Sequence, residues 1–287
     1  MPELPEVETV RAGLAAHITG ARIRRVRVYE PRLVRQHEAG PRDFEKRLIG
    51  REIECVSRRG KFLWLPLGES DEALNIHLGM SGQALLVAPD APDERHLRVR
   101  LELDRDDIEL RYVDQRMFGG LHLDELVTID RGQRLPTSVT HIARDVLDPD
   151  LDEPAVIADI RRRASGIKSV LLNQQIISGI GNIYADEALW LSKLNYLMPA
   201  SRLSRAQVAG LLSNVRAVME SALKAGGTSF DDLYVGVNGE SGWFDLSLNA
   251  YGQEGLPCPR CGRPIVRESW ANRSSHRCPR CQPKPRA

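Results

Sequence analysis

CPRCGRPIVRESWANRSSHRCPRC, residues 258–281, holds Cys258 and Cys261, then sixteen other residues, then Cys278 and Cys281. Two CxxC pairs at this separation offer four thiolates to one tetrahedral zinc, each pair supplying two ligands from a tight knuckle. Four thiolates leave no open coordination position, so the spacing predicts a structural zinc that does not activate water. A segment this short has no core of its own, which ties its folding to metal binding. The fifth cysteine, Cys55, stands alone in a strand-like stretch and reads as a small core residue.

Around these cysteines the charge is lopsided. From Cys258 to the end, eight cations face a single acid, Glu268, although the whole chain of 287 residues has a formal net charge of only +1. A nucleic-acid partner therefore has to be argued from this local patch and not from the overall field. Within the patch, Arg273, with Arg277 beside it, is the candidate phosphate contact; a solvated surface arginine is the plainer alternative. Five cysteines are too few and too unevenly placed for a secreted disulfide scaffold. No apolar run approaches a membrane span, and the acidic, proline-bearing opening is unlike a secretory signal, so a cytoplasmic protein is expected.

Upstream of the patch the hydrophobic period changes twice. Val7, Val10, Leu14 and Ile18 recur at helical spacing over 5–18, with Pro5 suited to the first helical position and Glu3, Glu6 and Glu8 at the positive end of the dipole. From 23 to 123 the period is two: Leu97, Val99, Leu101 and Leu103 alternate with charged residues, which predicts antiparallel strands with one wetted face and, over about 100 residues, a β-sandwich. Beyond the turn-rich 132–136 the period is helical to about 225, most clearly from Ser204 as a cap through Val208, Leu211, Val215 and Met219 to Gly226. Residues 228–256 read as a loop. The expected architecture is α+β and multi-domain: a helix and β-sandwich in 1–135, a helical domain with a loop in 136–250, and the cysteine segment in 251–287.

Six motifs appear in an order that resembles the bacterial formamidopyrimidine-DNA glycosylases of the formamidopyrimidine-DNA glycosylase and endonuclease VIII family. They are MPELPEVETV at 1–10, RRGKFLW at 58–64, HLGMSG at 77–82, DQRMFGG at 114–120, GIGNIYADEALW at 179–190, and the two cysteine pairs. The resemblance covers essentially the whole chain. It implies an N-terminal helix and β-sandwich, a helix-two-turns-helix domain and a zinc-finger β-hairpin. It also implies excision of oxidised purines such as 8-oxoguanine and formamidopyrimidines, followed by β,δ-elimination at the abasic site. The endonuclease VIII branch, which prefers oxidised pyrimidines, usually has glycine where this chain has Leu4, and that favours the purine branch.

The resemblance also implies roles for individual residues. Once Met1 is removed, Pro2 becomes a secondary amine with a reference pKa of about 8, partly neutral near pH 7 and able to attack the sugar carbon that bears the damaged base. The imine of a secondary amine is a cationic iminium, an electron sink that acidifies the neighbouring sugar proton. Glu3 then matches the general acid and base, and Glu6, one turn on, supports the site; Glu8 reads as helix-start charge alone. Lys61 matches a hairpin lysine on the damaged nucleotide's phosphate, and Arg273 matches the zinc-finger arginine that assists the second elimination. Met80, Arg116 and Phe118 match residues that fill the space left by an everted base; by residue type alone, Met80 and Phe118 read as core. His96, Arg163, Lys168 and Asn182 match contacts to the DNA backbone, Asn182 at a helix start whose free N–H groups suit a phosphate.

There are departures. Met117 stands where many relatives have a second arginine, and the stretch at 161–163 is arginine where relatives have lysine. The expected partner is double-stranded DNA with oxidised bases or abasic sites, bound by a monomer with one structural zinc. Two other classes remain in view: a non-enzymatic zinc-ribbon protein that binds or senses damaged DNA, and an N-terminal-proline tautomerase, against which the basic tail argues. Oxidised pyrimidines are the alternative substrate.

Overall fold

The structure, a computed structural model, describes residues 2–129, 132–226, 236–239 and 248–285. Of the loop expected at 228–256, residues 228–235 and 240–247, which make up most of its lesion-side portion, lie outside the described residues, as does Met1. The chain divides into two compact units, one formed by 1–141 with 225–243 and the other by 142–224 with 244–287.

The first unit is a helix-flanked pair of antiparallel sheets. Helix α1 (Leu4–Ile18) buries Leu4, Val7, Val10, Leu14 and Ile18, the stripe the periodicity predicts, with Leu4 rather than Pro5 as its first helical residue. The strands are β1 (Ile23–Val28), β2 (Ser57–Arg59), β3 (Phe62–Leu67), β4 (Glu72–His77), β5 (Gly82–Val87), β6 (Leu97–Leu103), β7 (Glu109–Asp114), β8 (Gly120–Thr128) and β9 (Arg134–Pro136). One sheet runs β1-β6-β7-β5 and the other β2-β3-β4-β8-β9. Their inner faces, α1 and α2 (Pro41–Leu48) share one core that joins Val99, Leu101 and Leu110 to Leu63, Leu65, Leu74 and Ile76.

Strand β6 alternates buried and half-buried residues as its sequence predicts. Strand β7 does not: all six residues are buried. Its outward Arg111 is fully buried and donates to Glu109 at 2.6 Å, to Glu94 at 3.2 Å and to the carbonyls of Pro92 and Ala91. The segment that precedes β6 thus covers the face expected to be wet, because a buried guanidinium is tolerated only with its donors satisfied. Cys55 corrects a second expectation: it is exposed and not a core residue.

The second unit contains α3 (Glu153–Arg161), α4 (Ile167–Leu171), α5 (Asn182–Leu191), α6 (Arg205–Lys224) and the hairpin β10 (Val266–Trp270) and β11 (Arg273–Arg277). Ser204 caps α6 reciprocally with Gln207: the Ser204 hydroxyl accepts from the Gln207 N–H at 3.1 Å and the Gln207 side chain accepts from the Ser204 N–H at 2.8 Å. Gly226, at φ 77°, follows the helix, a conformation glycine adopts without a Cβ penalty. The cysteine segment packs with these helices rather than apart, since Cys258, Cys278 and Ile265 share a small core with Trp190 of α5. Among the described residues, no helix is long and apolar enough to cross a membrane.

Candidate active site and nucleic-acid interface

The N-terminal segment is held by the start of α1. Glu3 is the N-cap residue in extended conformation, and its N–H donates to Glu6 Oε2 at 2.9 Å while its own side chain closes the reciprocal half of a capping box. Pro2, Glu3 and Glu6 are all buried, with Glu3 at 3% and Glu6 at 7% exposure. The two acids satisfy the helix's free N–H groups and so fix where Pro2 lies; the same bonds give Glu3 a helix-start role beside any chemical one.

Glu8 is more than dipole charge. Burial would raise its carboxyl, but hydrogen bonds and charge from Arg11 and Arg58 hold it below its ordinary value. Its contacts are Arg11 at 2.7 Å and Arg58 Nε at 2.7 Å. Arg58 lies in β2 and also donates to the Gly60 carbonyl at 3.0 Å, so Glu8 ties α1 to the turn that bears Lys61. In that turn, Gly60 at φ 57° and Lys61 form a two-residue loop between paired Arg59 and Phe62. A partner 50 residues away left no local signal in sequence.

Met80 and Phe118 are exposed, at 38% and 57%, so the core reading from residue type fails. Their two loops abut backbone to backbone: Gly79 has φ 62°, and a Cβ there would stand 2.6 Å from the Gly119 nitrogen. The Tyr112 hydroxyl donates to the His77 carbonyl at 2.7 Å, in space that a Cβ on Gly119 or Gly82 would occupy. Exposed Arg116 and half-buried Met117 complete the loop, Met117 at φ 56°, an uncommon angle for a side-chain-bearing residue. Next to it, His96 is half-buried; its carbonyl accepts from the Asp114 N–H at 3.0 Å and its ring lies 3.1 Å from Arg98 Nη2.

In the second unit, two consecutive acids of α5 gather the segments packed against that helix. Asp186, 1% exposed, accepts from Lys168 Nζ at 2.6 Å, Ser275 Oγ at 3.1 Å and the His276 N–H at 2.8 Å. Glu187 accepts from the N–H groups of Asn249, Ala250 and Tyr251 at 2.8–3.0 Å. Sequence reading passed over both acids, although their motif was in view. Lys168 is corrected as a DNA-backbone contact: it is fully buried, its ammonium also meets the Ser274 carbonyl, and the Trp270 ring lies 5.1 Å away. A cation enclosed by its own carboxylate has no reach to solvent phosphate.

Asn182 opens α5 and donates from Nδ2 to the Ser274 carbonyl at 3.0 Å, while its buried Oδ1 has no hydrogen-bond partner among the described residues. Arg163 is half exposed and paired with Asp159 at 3.1 Å. Arg273 is exposed and begins β11 directly after the two-residue turn Ala271–Asn272, both at positive φ. Arg277 is corrected as a companion phosphate contact: it is 6% exposed and holds Glu268 at 2.8 and 3.0 Å, and these hydrogen bonds bring the Glu268 carboxyl down to about 2. Arg260 is exposed but also engaged, 3.8 Å over the Trp190 ring and donating to the Leu191 carbonyl.

The four cysteine sulfurs lie within 4.8 Å of one another, with Cys261 to Cys278 at 3.5 Å and Cys281 to Cys261 at 3.7 Å. A tetrahedral site with zinc–sulfur bonds of about 2.3 Å places its sulfurs about 3.8 Å apart, so the donor set fits zinc. Burial and the adjoining sulfurs push the Cys281 thiol up to about 12, a conflict that a dication relieves.

Three family models match the chain in order: the formamidopyrimidine-DNA glycosylase N-terminal domain over 1–121, the H2TH domain of the same glycosylase over 142–233, and a zinc finger found in FPG and IleRS over 255–284. A formamidopyrimidine-DNA glycosylase of a Nocardioides species is 57% identical, covering 100% of this chain and 96% of that protein. One of Thermobifida fusca is 56% identical over 100% and 99%. Among solved structures, Lactococcus lactis Fpg in complex with DNA containing an abasic site has a TM-score of 0.84 at 33% identity, covering 98% of this chain and 100% of that one. MutM in complex with DNA containing carbocyclic 8-oxo-G has 0.85 at 33% identity, over 99% and 100%.

Proposed function

The chain belongs to the formamidopyrimidine-DNA glycosylase family, and from that premise we propose how its residues divide the work of removing an oxidised purine and cutting the strand. The protein is a base-excision repair glycosylase with abasic-site lyase activity. Cys258, Cys261, Cys278 and Cys281 hold one structural zinc, whose binding supplies folding energy to the finger. The three segments 1–135, 136–250 and 251–287 serve as catalytic domain, DNA-binding helical domain and finger.

The observation that supports the chemistry best is the buried capping box, which fixes Pro2 and Glu3 at one rigid helix start. After removal of Met1, the Pro2 nitrogen attacks the sugar carbon; the bond to the base breaks, and the base leaves with a proton. Glu3 protonates the sugar oxygen as the ring opens, which leaves a cationic iminium. Loss of the adjacent sugar proton then expels the 3′ phosphate, and a second proton loss expels the 5′ phosphate. Lys61 and Arg273 stabilise the phosphates as they leave, the latter from a hairpin tip that α5 holds in place through Asp186. Glu6 holds Glu3 in register, as its bond to the Glu3 N–H suggests. His96, Arg163 and Asn182 contact the DNA backbone, and Met80, Arg116 and Phe118 fill the vacated stack. The protein acts as a cytoplasmic monomer on double-stranded DNA.

Borohydride reduction during reaction with a duplex containing 8-oxoguanine tests this reading. The Met1-processed protein should give a covalent adduct, and Pro2→Gly should give little or none; no adduct from the processed wild type overturns it. A second substrate reading has support of its own, since Lactococcus lactis Fpg was also solved in complex with DNA containing an oxidised pyrimidine. A panel of duplexes, each with one lesion, separates the two.

A further inference from the structure

Both carboxylate oxygens of Asp114 are committed to the two loops that present Met80 and Phe118. Oδ1 accepts from the Ser81 hydroxyl, from the Arg116 N–H at 3.1 Å and from the Met117 N–H at 3.1 Å; Oδ2 accepts from the Gly119 N–H at 2.9 Å. Ser81 follows Met80 directly, and its oxygen also accepts from the Arg116 N–H at 3.0 Å. Asp114 is fully buried and Ser81 is 2% exposed. The residue is further pinned from behind, because its own N–H donates to the His96 carbonyl and its carbonyl accepts from Arg98 Nε at 2.9 Å. Neither loop can shift without leaving a buried donor unsatisfied.

We infer that Asp114 is a positioning residue that fastens the Met80 turn and the 116–119 loop into one rigid wedge, so that the two exposed apolar side chains enter the DNA stack together. The inference rests on the proposed reading of Met80 and Phe118 as wedge residues. Two independently mobile loops would each have to be ordered during insertion, at a cost in conformational entropy. A wedge ordered beforehand avoids that cost, and the gain falls on the step that opens the stack, before any bond is made or broken. Asp114 touches no reacting atom.

The replacement that separates this role from bulk is Asp114→Asn. It keeps the shape and one acceptor oxygen but turns an N–H toward another N–H at Gly119 or at the Oδ1 donors. Ser81→Ala provides a second variant that removes the Asp114 bond on the Met80 side together with the direct bond from the Arg116 N–H, and leaves the Asp114 carboxylate in place. Each would be compared with wild type in single-turnover excision of 8-oxoguanine from a fully paired duplex and in strand cleavage at a preformed abasic site, where no base has to leave the stack. A 2-aminopurine beside the lesion reports wedge insertion, and thermal unfolding reports the fold.

The expected result is a loss of about tenfold or more in excision from the paired lesion and a reduced 2-aminopurine signal, with abasic cleavage within about threefold of wild type. Equal losses on both substrates, or no loss on the paired lesion, overturn the inference for whichever variant folds. Phe118→Ala, run in parallel, tests the underlying reading. Wild-type excision there removes the wedge itself, whereas a loss there with none in Asp114→Asn or Ser81→Ala removes only the clasp.

Discussion

Replacing Asp186 by alanine should detach the finger hairpin from the helices while the rest of the second unit stays folded. The side chain is 1% exposed and is the carboxylate partner of a fully buried Lys168 ammonium 2.6 Å away. Removing one member of such a pair leaves an uncompensated charge in the interior, which costs about 3–5 kcal/mol. The lost acceptors of the His276 N–H and the Ser275 hydroxyl lie within the same network, so their costs are counted inside that range and not added to it. Urea denaturation of the zinc-loaded protein measures the loss, and amide hydrogen exchange over 266–277 locates it. Replacing both partners with apolar residues, Lys168→Met with Asp186→Leu, removes the stranded charge and should recover at least about 1 kcal/mol relative to Asp186→Ala. An alanine variant within about 1 kcal/mol of wild type would refute the reasoning, as would a double variant no more stable than the single.

Other outcomes are expected on the same grounds. A chelator strong enough to strip zinc from the four cysteines should abolish the exchange protection of the hairpin and lower DNA affinity together, and restored zinc should recover both; a protected hairpin in the stripped protein would show that metal binding and folding are separate. Arg273→Ala should weaken DNA binding and reduce the salt slope of log affinity by about 1, a change that an arginine remote from phosphate would not produce. Glu8 has a folded-state value below its ordinary 4.5, so its contribution to stability is complete above 4.5 and is lost as pH falls through the lower folded value. Glu8→Gln should therefore lower stability near pH 7, where that contribution is complete, and flatten the acid limb of a stability–pH profile so that variant and wild type converge at low pH; an unaltered acid limb would assign that limb to other groups. Glu3→Gln should lose most base excision while lesion binding remains measurable; wild-type excision would return Glu3 to a helix cap alone.

The sequence by itself determined the zinc ligand set, because four thiolates and their spacing are covalent facts that one metal geometry satisfies. It also determined α1, β6 and α6, whose apolar stripes have one period each and one face to bury. Candidate site residues could be named from sequence because they lie in short motifs that keep their order. Charge was the part that misled. Lys168 and Arg277 look in sequence like cations that reach a phosphate, yet each is buried and engaged by a carboxylate. Met80 and Phe118 look like core residues and are exposed, because glycines at 79, 82 and 119 let two loops press together beneath them. Only the tertiary structure decided these cases: whether a cation or an apolar side chain faces water depends on partners dozens of residues away, and periodicity reports which face an element buries without saying what it meets there.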